Sequence, residues 1–113
     1  MSKGLTQLEF HIPGSEWIPV EGNAGIYNKI LNEDKQSGRI TLLQKYEPGA
    51  FTDNVAKHTF IEEVYIIEGE LTDKGLKKTF EKGSYAFRHP GMIHGPYESR
   101  KGCLTFIIID PSK

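Results

Sequence analysis

Between Ala56 and Leu71 the chain reads AKHTFIEEVYIIEGEL, and this run constrains the fold more than any other stretch. His58 and Glu62 are metal-ligand residue types. Val64, Tyr65, Ile66 and Ile67 after them are β-branched or aromatic, so they read as a buried strand, and Glu68-Gly69-Glu70 reads as a bend that sends the chain back antiparallel. A histidine and a carboxylate set ahead of a rigid apolar strand predict a pocket with a polar mouth.

The remaining sequence predicts more strands and no helix. Leu8, Phe10 and Ile12 alternate with polar residues before Pro13-Gly14, which suits a short strand in an N-terminal arm, residues 1–15. Trp17, Ile18 and Val20 surround Pro19, which lacks a ladder donor and so favours an edge. After a turn over Gly22 to Gly25, Ile26 to Leu31 make a strand ended by Asn32-Glu33-Asp34. Arg39 to Tyr46 make the next, with Ile40, Leu42 and Gln44 sharing one face. Pro48-Gly49 breaks it, and Ala50 to Lys57 are expected to be an irregular loop. A hairpin is expected over Asp73-Lys74-Gly75, with glycine supplying the positive φ. Tyr85, Phe87 and His89 alternate with Ala86 and Arg88 before Pro90-Gly91. The last strand, Cys103 to Asp110, is apolar enough to be covered on both faces. Short strands separated by turn signals argue for an all-β sandwich or barrel.

Composition narrows the function classes. A chain of 113 residues holds one core, so residues 16–113 are expected to form a single domain. With 14 Lys and Arg against 15 Asp and Glu there is no broad basic field, and nucleic acid is not an expected partner. Phe106 to Ile109 is far shorter than the roughly 20 apolar residues a membrane span needs. The lone Cys103 allows no internal disulfide, and MSKGLTQLEF has no basic segment followed by an apolar core. A cytoplasmic location is expected.

The positions Pro48-Gly49, His58, Glu62, Tyr65 and Gly69, then Gly83, Pro90-Gly91 and His94, resemble the two signature motifs of the cupin superfamily. The wider frame of Trp17, Pro19, Gly25, Lys29, Leu31, Glu62-Glu63 and Gly102-Cys103 is similar to small cupins related to the ChrR cupin-like domain and to acetylacetone-cleaving dioxygenases. This resemblance spans residues 16 to 109 and implies a jelly-roll β-barrel, the double-stranded β-helix of RmlC-like cupins. It further implies a divalent ion, Fe, Zn, Mn or Ni, held by His58, Glu62 and His94. The motif's leading histidine falls on Ala56, which offers no lone pair. Two imidazoles and a carboxylate retain the composition of a facial triad. Asp53 or Asn54 is a candidate for the missing ligand.

Other residues complete the expected pocket. Phe51, Phe60, Tyr65, Tyr85, Phe87 and Tyr97 flank the motifs and suit an apolar cavity for a small organic ligand. Core packing is the competing reading, and it suits Tyr65 and Phe87 best. Gln44 would point an amide inward and would need a partner. Glu63 reads as exposed, His89 as a turn residue, His11 as an ordinary arm residue, and Cys103 as a small buried apolar group.

Three functional expectations follow. One is a metal-dependent, dioxygenase-like enzyme acting on an oxygen-rich or β-dicarbonyl compound. Another is a non-catalytic binding or sensing module with a degenerate site. The third is a metal-free isomerase or cyclase with His58 or His94 as catalytic base. A homodimer is expected, with an arm such as Thr6 to Ile12 pairing across it.

Overall fold

The structure, a computed structural model, describes Thr6 and residues 9–111. Every regular element among them is a strand: β1 (Ile18–Pro19), β2 (Ile26–Asp34), β3 (Arg39–Tyr46), β4 (Ala50–Phe51), β5 (Ala56–Lys57), β6 (Ile61–Asp73), β7 (Lys78–Glu81), β8 (Tyr85–Arg88), β9 (Ile93–His94), β10 (Tyr97–Ser99) and β11 (Cys103–Asp110). The main sheet runs β1-β2-β3-β11-β6-β10-β4, with β7 and β8 also on β6, and β5-β9 form a separate pair. It curls into the half-barrel of a cupin jelly roll, as the motif pair implied.

The inner face carries the core. Leu42, Val64 and Ile107 from three neighbouring strands pack together, and Ile26, Tyr46, Ala50, Tyr97 and Cys103 form a second cluster. Period-two alternation explains both, because residues two apart on a strand share a face. On β11 the outward residues stay half-exposed, so only one face is fully covered, contrary to the expectation from its apolar run.

Strand β6 corrects the reading of the opening stretch. Gly69 does not reverse the chain; the strand continues to Asp73. At Leu104/Thr105 the β11–β6 register slips, and Cys103 pairs with Gly69 while Thr105 pairs with Ile66. Such a bulge bends a strand without ending it. Beyond it, Thr72 and Asp73 pair with β10 on one side and Glu70 to Asp73 with β7 on the other. One strand therefore serves both halves of the barrel.

Smaller corrections have local causes. β2 runs on through Asn32-Glu33-Asp34 across a bulge after Ile30, and Asp34 ends it by accepting from Gln36 N (3.0 Å) and Ser37 Oγ (3.0 Å). The expected loop over Ala50 to Lys57 contains β4 and β5. In the β6–β7 turn the positive φ belongs to Lys77, not Gly75. Gly75 is needed for space, since a Cβ there would lie 2.7 Å from the Gly95 carbonyl oxygen. In the arm, Leu8 lies outside the described residues, and Phe10 to Ile12 are exposed and outside any strand. Pro19 does sit on an edge strand.

Candidate metal centre

Four short pieces of backbone bring the polar residues to one end of the inner face. β5 pairs with β9 so that Ala56 lies opposite His94, and the Gly91 amide donates to the His58 carbonyl at 2.7 Å. That bond ties the two motif loops together. Glu62 is on β6, directly across from Arg88 on β8.

Nε2 of His58 is 3.6 Å from Glu62 Oε1, and Nε2 of His94 is 3.8 Å from the same oxygen. One ligand atom from each of the three lies within 4.8 Å of the others. Ligands bound at about 2.1 Å to one ion sit about 3 to 3.5 Å apart, so only a small contraction separates this cluster from a coordination shell. Of the four buried side-chain polar atoms without a hydrogen-bond partner among the described residues, two are these Nε2 atoms. Leaving such atoms unpaired is costly, which makes their convergence on a carboxylate the chemistry of a cation site. The residues present therefore fit a divalent ion.

The surroundings prepare both rings. Phe60 stacks on His58 with centroids 4.4 Å apart and planes at 17°. His94 Nδ1 is 2.6 Å from the Tyr97 hydroxyl, so an ion at Nε2 would place the proton on Nδ1, donating to Tyr97. Burial, with help from Arg88 and His58, pushes the His94 pKa down to about 4, so the ring is neutral at physiological pH. Burial also holds the Tyr97 hydroxyl well above its ordinary value, and it stays protonated. Asp73, 4% exposed, accepts from the amides of Gly75 (2.9 Å), Leu76 (3.1 Å) and Gly95 (3.3 Å) and so steadies the residue next to His94.

A cavity of about 360 Å³ opens on this cluster. Gln44, Ala56 and Tyr97 line it as the sequence suggested, and Asn54 does too, whereas Asp53 is not among its walls. Gln44 satisfies its amide on Asn28 Oδ1 at 2.9 Å. Phe51 is exposed and lies off the cavity. Tyr65, Tyr85 and Phe87 are exposed as well, which corrects the core reading of Tyr65 and Phe87. Tyr85 and Phe87 border an adjoining, largely apolar depression of about 610 Å³ that shares Arg88, His94 and Tyr97 with the cavity. Tyr85 donates to Glu63 at 2.5 Å, which occupies that carboxylate, and His89 sits edge-on to Phe87 in its turn. Cys103 is buried, and burial raises its thiol pKa. Arg88 was the residue missed: its Nη1 is 3.3 Å from Glu62 Oε1 and its side chain faces the cavity. The alternation in Tyr85 to Arg88 was visible in the sequence, but which half faced inward was not.

Among solved structures, the acetylacetone dioxygenase of Acinetobacter johnsonii is 16% identical, with 96% of this chain and 76% of that one covered at a TM-score of 0.76. The polyketide cyclase RemF of Streptomyces resistomycificus is 16% identical over 95% and 81%, TM-score 0.73. An RmlC-like cupin from Shewanella frigidimarina is 20% identical over 88% and 86%, TM-score 0.71. At these identities the likeness concerns the fold. No curated protein matches the chain. The sequence model of the ChrR cupin-like domain matches residues 7–113, nearly the whole length, and on that match the chain belongs to the ChrR cupin-like family.

Proposed function

We propose that this protein is a metal-dependent enzyme acting on a small oxygen-rich or β-dicarbonyl compound. The observation that carries the reading is the pair of orphaned Nε2 atoms converging on Glu62 Oε1 at the floor of an organic-sized cavity. His58, Glu62 and His94 would hold the ion, which supplies Lewis acidity toward substrate oxygens. Tyr97 holds the His94 ring, and Phe60 covers one face of His58. Ile26, Val64, Leu71 and Ile107 give the cavity an apolar wall for a carbon skeleton. The dioxygenase and cyclase among the structural neighbours make carbonyl-rich substrates a reasonable class to assay first.

The test is direct. Anaerobically purified protein, titrated separately with Fe(II), Zn(II), Mn(II) and Ni(II), is expected to take up one ion per chain. His94→Ala should weaken uptake at least about 100-fold, beyond the 10–100-fold typical of losing a group one step outside the ligand shell. Absence of stoichiometric uptake for all four ions would sink the proposal.

Ala56 supports a second reading, a binding or sensing module that has lost catalysis along with its fourth ligand. Reproducible metal-dependent turnover by the wild type removes it.

We also propose that the arm pairs with a second copy, because Phe10 and Ile12 are fully exposed in an alternating segment. Sedimentation should give a dimer for the full chain and a monomer after deletion of residues 1–14. The idea fails if both sediment as monomers.

A further inference from the structure

Arg88 is the one Lys or Arg lining the cavity among the described residues, and its side chain is only 16% exposed. A guanidinium presents five N–H donors in a rigid fork. Here its one described hydrogen bond goes to Glu62 Oε1, at 3.3 Å, longer than the 2.7–2.9 Å usual for such charged pairs. Its other nitrogens are not among the fully enclosed orphan atoms, and Arg88 lines both this cavity and the apolar depression beside it. The Tyr97 ring, with its centroid 5.5 Å from Cζ, flanks the group.

Charge leads to the same conclusion. In the absence of an ion, Glu62 and Arg88 balance each other. A divalent ion bound by Glu62 would leave the cavity short of negative charge, with the guanidinium facing the same space. The other polar walls do not make up the deficit: Gln44 donates to Asn28, and Thr105 donates to the Gln44 carbonyl at 3.1 Å.

We propose that Arg88 is the specificity residue of this cavity and binds a carboxylate, so that the ligand is a small oxo acid and not a neutral diketone. The assignment rests on the metal-site reading above. The acid would place one oxygen group toward the His58–Glu62–His94 cluster and its carboxylate on the free edge of the guanidinium. The nearby apolar residues would enclose the carbon chain.

Shape-matched pairs test this. Acetoacetate differs from acetylacetone, and pyruvate from 2,3-butanedione, by a carboxylate oxygen in place of a methyl group. Calorimetric titration of the metal-loaded full chain at fixed ionic strength should show each acid binding about tenfold or more tighter than its partner, the scale of one charge-assisted hydrogen bond. Arg88→Met should abolish most of that preference. Arg88→Lys, which keeps the charge but loses the fork, should retain part of it, and it decides the matter if the methionine variant does not fold. Metal uptake is measured on the same samples without acid. No uptake by the wild type removes the metal reading and this assignment with it. Uptake with no preference for the acids, or a preference that survives in a folded Arg88 variant to methionine, removes this assignment alone.

Discussion

A Gly69→Ala variant is expected to lose several kcal/mol of folding stability, enough to leave much of the chain unfolded at ordinary temperature. Two effects add. Gly69 has φ of +78°, where an L-residue pays roughly 1–2 kcal/mol. The larger effect is steric, because an added Cβ would lie 2.0 Å from the Gly102 carbonyl oxygen and 2.9 Å from the Cys103 Cα, both backbone atoms. Neither can rotate away. Relief requires the bulge between β6 and β11 to open, and this is the pair of strands on which Val64 and Ile107 meet in the core. Against a total stability of about 5–15 kcal/mol for a domain of this kind, the loss is a large fraction. Urea unfolding followed by tryptophan fluorescence reads it through Trp17. A midpoint close to that of the wild type would show that the bend at Gly69 can relax.

An Ala56→His variant is expected to bind a divalent ion about 100-fold more tightly than the wild type. Residue 56 is paired with His94 across β5 and β9, and it already lines the cavity. A fourth donor at this position would act on a cluster whose other atoms lie within 4.8 Å of one another, so little reorganisation is required. Competition titration against a chelator of known affinity measures the change. Unchanged affinity would mean that residue 56 does not project into the coordination space, and that the three-ligand set is the complete design.

Much of this architecture was legible from residue order. β3 was placed correctly at both ends, because its alternation is regular and Gly38 and Pro48 bracket it. His58, Glu62 and His94, the residues the motif resemblance singles out, lie together. The misses share a physical cause. A glycine with positive φ serves a chain reversal and a bulge equally well. Only the close approach of Gly102, 33 positions along the chain, distinguishes them for Gly69. Period two shows that Ala86 and Arg88 share a face while Tyr85 and Phe87 share the other, yet it is silent on which is inside. Aromatic bulk favoured the wrong choice. In the structure β8 lies across from β6, and its register places Arg88 opposite Glu62, which sets the inward face.

The turn from Lys74 to Lys77 is exposed, polar and joins two strands, the profile of a site where an insertion or a tag is usually harmless. The bracket made by Asp73 argues otherwise here. Its carboxylate holds that turn through Gly75 and Leu76 with one oxygen, and with the other it holds Gly95, the residue following His94. For anyone engineering this scaffold, the turn is mechanically tied to the His58–Glu62–His94 cluster, and a reporter peptide is better attached elsewhere.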